Sequence, residues 1–321
     1  MQNNKDKYKA HCAKESTIPL FSQHWWLDAT AGDGNWDVAL VEENGEIVAS
    51  MPYTIKKKWG FTIISQPILT QTLGPWLRPS DAKYSRQLGL QKKRIQALFE
   101  QLPRFDHFQQ NWYSSIQNWL PVYWMGFKQT TRYTYIIPDI SNLDKVLSSF
   151  DSSYRNKIKK AEKTINIKVE LPIEKFFEIN SLTFARQNLE TPYSLDFLKR
   201  HDDSLGEKGQ RQIFYAEDSE KRIHSSLYLT WDAQTAYVHL VGEDPELRNS
   251  GAGIALIWHV IQYASNELRL KHFDFEGSML ESVEPVRRDC GGVQTPYFSI
   301  SKTPSRLLKT AIFLRELFRG G

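Results

Sequence analysis

Residues 237–268 constrain the fold of this chain more than any other stretch. A short strand at 237–241 leads through a connection at 242–247 into the turn Arg248-Asn249-Ser250-Gly251-Ala252-Gly253, and that turn opens an amphipathic helix. Ile254, Ile257, Trp258, Ile261, Ala264 and Leu268 recur at the spacing that gathers them on one helical face. Amides in the first turn of a helix have no partner within it, and the aligned peptide dipoles add positive potential there. Gly251 and Gly253 remove the side chains that would hold an anion away from those amides. The turn therefore reads as a cradle for a phosphate or diphosphate. The same residues also suit a turn that merely reverses the chain.

A chain of 321 residues is long enough for two domains, each with its own core. A net charge of +4 is too mild to imply nucleic-acid binding by itself. Cys12 and Cys290 share no metal-ligand spacing and read as reduced thiols of a cytoplasmic protein. Residues 1–16 are polar and lysine-rich, unlike a secretory signal, and no run approaches the roughly 18 apolar residues of a membrane span. Gly-x-Ser-x-Gly, P-loop, His-Glu-x-x-His and Cys-x-x-Cys motifs do not occur. His201-Asp202-Asp203 could touch a metal, but no second cluster accompanies it, and no metal is expected.

Residues 36–41 and 46–55 are predicted strands joined through Asn44-Gly45, a hairpin signal, with a further strand at 59–65. A loop at 66–81 holds Pro67, Gly74-Pro75 and Pro79; then come a helix at 83–101, a strand at 104–109, a helix at 111–119 and a strand at 132–137. The transition at 138–153 divides the chain into domains at 1–150 and 151–321. Asp151 to Ser153 supply N-cap chemistry for a helix at 154–164, on which Arg155, Lys159 and Lys163 stack at i, i+4 and i+8. That basic face has two readings, a solvated surface or a wall that reads the phosphates of a substrate or a tRNA. A strand at 166–171 and helices at 173–188 and 194–204 follow. Strands at 210–216, 222–231 and 235–241 form an antiparallel meander before the glycine turn and its helix. The chain continues with a strand at 271–276, a helix at 279–289 and a strand at 293–300. A last amphipathic helix, opened by Pro304, carries Leu307, Leu308, Ala311, Leu314 and Phe318 along one side, with Arg306, Lys309, Arg315 and Arg319 around it. It either docks on the protein or lies on an anionic membrane surface as a peripheral contact.

The element order across 166–300, with Arg-x-x-Gly-x-Gly between a strand and a helix, resembles the GNAT acyltransferase superfamily. The first half resembles a degraded copy, with the proline-broken loop in place of the glycine turn. Two such domains in one chain are similar to the FemAB-like group, related to peptidoglycan aminoacyltransferases. So are the segments at 154–163 (Tyr-Arg-Asn-Lys-Ile-Lys-Lys-Ala-Glu-Lys) and 273–278 (Phe-Asp-Phe-Glu-Gly-Ser). The resemblance implies a mixed α/β chain of two tandem GNAT-like domains, each a mostly antiparallel twisted sheet flanked by helices. It implies transfer of an acyl group to an amine acceptor held between them. The donor is acyl-CoA, such as acetyl-CoA, in most GNAT enzymes; in FemAB proteins it is an aminoacyl-tRNA and the acceptor a peptidoglycan precursor. This chain lacks the long heptad-bearing insertion of the cell-wall members, and its glycine turn is closer to that of a CoA user. The expectation is therefore an acyl-CoA donor and a small-molecule or lipid-linked amine acceptor. The alternatives are aminoacyl-tRNA-dependent transfer to a cell-envelope precursor, and a non-catalytic binding protein built on GNAT folds.

The resemblance also implies that the strand before the glycine turn splays from the strand after the helix, with the donor's carbonyl in the gap. An attacking ammonium must lose a proton and the leaving group must gain one. Glu276, at the end of strand 271–276, is the expected base, and Glu243, just past the first strand, is the alternative. Tyr297 and Tyr263 are candidate acids. A fold that only positions its reactants needs none of them. Trp112, Trp119, Tyr123 and Trp124 suit an acceptor cleft or a core equally well.

Overall fold

The structure is a computed structural model and describes residues 3–277 and 279–317. In chain order the first half comprises α1 (Asn4–Cys12), α2 (His24–Ala31), β1 (Trp36–Glu43), β2 (Glu46–Lys58), β3 (Phe61–Ser65), β4 (Trp76–Leu77), α3 (Tyr84–Glu100), β5 (His107–Asn111), α4 (Leu120–Trp124) and β6 (Lys128–Ile137). The second half comprises α5 (Leu143–Ser149), α6 (Ser152–Ala161), β7 (Asn166–Val169), α7 (Ile173–Ala185), α8 (Leu195–Glu207), β8 (Arg211–Glu217), β9 (Ile223–Trp231), β10 (Thr235–Glu243), α9 (Ala252–Asn266), β11 (His272–Asp274), α10 (Glu284–Asp289), β12 (Val293–Lys302) and α11 (Arg306–Leu317). Side-chain caps start several helices, including the one expected after Asp151. Asn142, Asp151 and Ser194 accept from the amides of Lys145, Ser153 and Phe197.

The fold is mixed α/β with mostly antiparallel strand pairing, and the chain forms two compact units. One runs up to residue 132 and resumes at 296; the other is 133–295. In the first unit the strand order is β1-β2-β3-β5-β12. All neighbours are antiparallel except β3 and β5, which are parallel. Phe99, Phe108, Trp112, Phe127 and Ile300 centre its core. The helix expected at 111–119 is absent. The Trp112 amide instead donates to Phe298 O at 2.7 Å, extending the β5–β12 ladder, while the Trp112 side chain is fully buried. The chain becomes helical only at α4, with Pro121 in its first turn.

In the second unit the order is β7-β8-β9-β10-β11-β6, antiparallel except for the β10–β11 pair. Its core includes Phe150, Trp258, Ile261, Phe273 and Phe275, with Phe150 and Trp258 meeting edge to face at 5.8 Å. The transition expected at 150 falls inside this unit. Ile136 and Ile137 pair with Asp274 and Phe273, and Val146 and Phe150 enter its core. Both units thus show antiparallel strands, one parallel pair and a final antiparallel strand. The final strand of each comes from the other half of the sequence.

Among the described residues no helix is long and apolar enough to cross a membrane. On α11, Leu307 and Leu314 are exposed. Phe318, Arg319 and the Arg315 side chain, expected on that helix, lie outside the described residues, as does Ser278.

Candidate functional site

β10 and β11 run parallel over three residue pairs, ending at Tyr237 with Asp274. Beyond that, β10 continues to Glu243 while β11 stops. The reason lies at Glu276, whose φ of 45° is a left-handed conformation that a residue with a Cβ rarely adopts. The bend is pinned by neighbours. The Glu276 amide donates to Asp274 Oδ1 at 2.8 Å, Thr134 Oγ1 donates to the same oxygen at 2.5 Å, and the Gly277 amide donates to Thr134 Oγ1 at 2.9 Å. Strand 271–276 is therefore shorter than expected, and Glu276 stands at the start of the gap.

Opposite Glu276, the β9–β10 register slips between Val238 and Leu240, and a bulge of this kind re-aims the extra residue. That residue is His239, whose Nδ1 lies 2.9 Å from Glu276 Oε1 and whose Nε2 lies 3.0 Å from Nε2 of His201 on α8. Phe197 stacks on His201, and the ring of Tyr228 lies edge-on to His239. Burial pushes His239 down to about 3 and His201 far below its ordinary value, the charge of His239 adding to the effect on His201. Burial raises the Glu276 carboxyl well above the carboxylate range, with the Arg287 charge opposing. Burial also lifts Asp274 to about 7 against the hydrogen bond from Thr134. Arg287 Nε is buried and makes no hydrogen bond among the described residues.

His201-Asp202-Asp203 is not a metal ligand set. His201 serves His239, while Asp202 accepts from Tyr228 OH at 2.7 Å and pairs with Arg211 at 2.9 Å. No group of three or more metal-ligating side chains occurs among the described residues.

At the glycine turn Gly251 adopts φ 79° and opens α9. A Cβ there would stand 3.1 Å from Lys157 O, so α6 packs directly on the corner. Ser250 is held from the side: its Oγ lies 2.9 Å from His224 Nδ1, and His224 Nε2 lies 3.1 Å from Asp218 Oδ2. That hydrogen bond and Arg222 keep Asp218 well below its usual range. Much of the cradle is already engaged. The amides of Ser250, Gly251 and Ala252 donate to Leu247 O, Arg248 O and Ser250 Oγ at 3.2, 3.4 and 3.2 Å. The helix geometry leaves those of Gly253 and Ile254. Ala252 is a core residue, packed with Ala161 and Ala255. Arg248 and Asn249 are exposed. Glu243 lies over the first helical turn. Its Oε1 stands 3.0 Å from where a Gly253 Cβ would sit, and its Oε2 pairs with Arg248 at 2.8 Å and Arg186 at 3.5 Å.

Of the expected basic face, Lys159 on α6 is exposed, as are Lys157 and Lys160; α6 ends at Ala161, so Lys163, also exposed, lies past its end. Arg155 is not part of an open wall, because its guanidinium caps α5 by donating to Ser148 O at 2.9 Å and Phe150 O at 2.5 Å. Tyr297 lies in the first unit, where its hydroxyl accepts from Arg132 Nε at 3.4 Å. Also in that unit is a cavity of about 780 Å³ whose lining includes His107, Lys128, Arg132, Lys302 and Lys309 and, among the described residues, no Asp or Glu. Of the expected aromatic cluster, Trp112 is core while Tyr123 and Trp124 are exposed.

The sequence offered Glu276, Glu243 and the turn as candidates; His239, His201, Asp274, Arg287 and the His224–Asp218 pair, which the structure puts beside them, were not among them. The available signal for His239 was a polar residue between Val238 and Leu240 on a strand that is otherwise apolar at that point.

A sequence model of the acetyltransferase (GNAT) domain matches residues 148–281. No curated protein matches the chain by sequence. Among solved structures, FemX is similar over 93% of this chain and 96% of its own, at 14% identity and a TM-score of 0.65. L-PGS from Bacillus licheniformis is similar over 98% of both chains, at 12% identity and a TM-score of 0.56. A tandem GNAT protein from the clavulanic acid biosynthesis pathway is similar over 88% of this chain and 95% of its own, at 11% identity and a TM-score of 0.50. Residues 148–281 thus match the acetyltransferase (GNAT) domain, and the chain as a whole shares its fold with FemX and the tandem GNAT protein.

Proposed function

We propose that this protein transfers an aminoacyl group from a charged tRNA to the amine of a small-molecule or lipid-linked acceptor, with Glu276 as the base. The choice of donor rests on one observation, the Glu243 carboxylate over the first turn of α9. A diphosphate in that place would face a like charge, which costs about 4 kcal/mol at ~4 Å and an effective dielectric near 20. It would also find three of the turn's amides engaged. An aminoacyl-tRNA does not need that cradle, because its phosphodiesters can be met by exposed lysines such as Lys157, Lys159 and Lys160 on α6 and Lys163 just beyond it.

In the reaction the acceptor nitrogen bonds to the aminoacyl carbonyl carbon and the ester bond to the ribose oxygen breaks. The amine's proton leaves through Glu276, and the departing ribose oxygen takes up a proton.

A second reading, an acyl-CoA donor, is favoured by the turn itself, since left-handed Gly251 directs the amides of Gly253 and Ile254 outward. It requires Glu243 to withdraw from the turn. Separate calorimetric titrations with charged tRNA, uncharged tRNA, CoA and acetyl-CoA test the donor. Saturable binding of charged tRNA and none of acetyl-CoA is expected. Tight acetyl-CoA binding abolished by Gly251→Trp, with no response to charged tRNA, overturns the aminoacyl reading.

A further inference from the structure

The two hairpins of the first unit turn the chain in the same way with different residues. Between β1 and β2 the paired residues Glu43 and Glu46 enclose Asn44-Gly45, at φ 53° and 79°. Between β2 and β3 the paired residues Lys58 and Phe61 enclose Trp59-Gly60, at φ 52° and 80°. A two-residue turn with positive φ at both positions favours Asn-Gly, because Asn reaches the left-handed region cheaply and a bulky side chain does not. The first hairpin follows that preference. The second puts a tryptophan in the strained position, and its side chain is 84% exposed.

Neither folding nor solubility accounts for Trp59. It is absent from the core of its unit, and the turn would form more readily with Asn. What surrounds it has a consistent sign. Lys56, Lys57 and Lys58 lead into the tip, all exposed, and Lys58 Nζ lies 4.5 Å from the centre of the Trp59 ring. No Asp or Glu occurs from Thr54 to Ile64. Asp106 meets the hairpin further down, where it accepts from the Thr62 amide at 2.9 Å.

An indole with an apolar body and one N–H donor is most at home at the boundary between water and hydrocarbon. Lysines beside it gain from the negative potential of anionic headgroups. We infer that the Trp59 tip of the β2–β3 hairpin is a membrane-docking element, with the indole entering the headgroup region of an anionic lipid surface and Lys56, Lys57 and Lys58 contacting the lipid phosphates. RNA offers phosphates and stacking bases too. A single indole at the end of a two-residue turn, however, lacks the groove and the successive stacking faces with which proteins hold a strand. The inference does not depend on the identity of the acyl donor.

The test is co-sedimentation of the full chain with vesicles of phosphatidylcholine alone or mixed with phosphatidylglycerol, and quenching of tryptophan fluorescence by brominated lipid. Wild type is expected to bind the anionic vesicles, to lose binding as salt rises, and to be quenched. Trp59→Asn restores the favoured Asn-Gly turn, so its thermal midpoint is expected to be unchanged or higher while quenching is lost. Replacing any one of the three lysines with Gln is expected to lower the partition coefficient about fivefold. Vesicle binding that Trp59→Asn leaves intact overturns the inference, as does no vesicle binding by wild type. So does a Trp59-dependent affinity for uncharged tRNA without vesicle binding.

Discussion

His239 Nδ1 is hydrogen-bonded to Glu276 Oε1 at 2.9 Å, across from the bulge that aims the imidazole at the end of β11. Burial keeps His239 neutral at physiological pH, so it carries a single N–H. With Glu276 ionised, as a base must be, that proton points at Glu276 and Nε2 accepts from His201. Each histidine then fixes the tautomer of the next, and Glu276 is held against rotation. Glu276→Gln is expected to lower kcat by about 10²–10⁴-fold with little change in acceptor KM, the usual range for loss of a positioned base. His239→Asn is expected to give a smaller loss in kcat. Both are read from transfer of a radiolabelled aminoacyl group, and wild-type turnover in the Gln variant would remove Glu276 from the mechanism.

The buried acids give stability a definite pH dependence. Asp274 stands at about 7 in the folded chain against an ordinary value of 3.8. A folded value above the unfolded one means the native state holds the proton more tightly. The contribution is therefore complete below about pH 4 and is lost as pH rises towards 7. Glu276 shifts in the same direction. Asp274→Asn keeps an oxygen for Thr134 and the Glu276 amide but cannot ionise. Its thermal midpoint is expected to fall less than that of wild type between pH 4 and pH 8. Parallel pH profiles for the two proteins would show that Asp274 does not carry the shift.

Much of the fold was legible because the two meanders alternate and break at turn residues such as Asn44-Gly45. The glycine turn was legible for the same reason, as a local pattern. The helix expected at 111–119 failed because long-range pairing of Trp112 with Phe298 outweighed local propensity, which no window of sequence contains. The division of the chain was hidden likewise, since β6 and β12 each finish the sheet order of the unit formed mainly by the other half. Around the gap, Glu276 could be named as a candidate from its place at a strand end. His239 could not, because its direction is set by a bulge, and His201 looked like part of an acidic cluster until its ring was seen against His239.

Two glycines separate backbone freedom from close packing. A Cβ at Gly277 would stand 2.3 Å from Thr134 Cα and 2.5 Å from Tyr133 O, both main-chain atoms with nowhere to move. Gly277→Ala is expected to cost about 1–3 kcal/mol or more, since overpacking forces the backbone apart. Gly89 lies within α3 with nothing within 4 Å of its Cβ position. Gly89→Ala is expected to stabilise by about 0.5–1 kcal/mol through helix propensity alone. Urea unfolding of the pair against wild type measures both, and equal midpoints would contradict the packing at Gly277.

The Glu243 carboxylate sets the sharpest expectation about the donor. It stands where the helix dipole and the amides of Gly253 and Ile254 would otherwise attract a phosphate, and it occupies Arg248, the one cation of the turn. Removing it frees Arg248 and replaces a repulsion with an open helix N-terminus. Glu243→Ala is therefore expected to bind CoA or pyrophosphate at least tenfold more tightly than wild type, a change of about 1.4 kcal/mol or more. Transfer from charged tRNA is expected to persist in the variant. Isothermal titration with CoA, pyrophosphate and dephospho-CoA reads the gain, and rising salt should erode it if the contact is ionic. If instead the variant loses CoA affinity that wild type possesses, Glu243 is organising the turn for an acyl-CoA donor through Arg248, and the charged-tRNA reading falls with it.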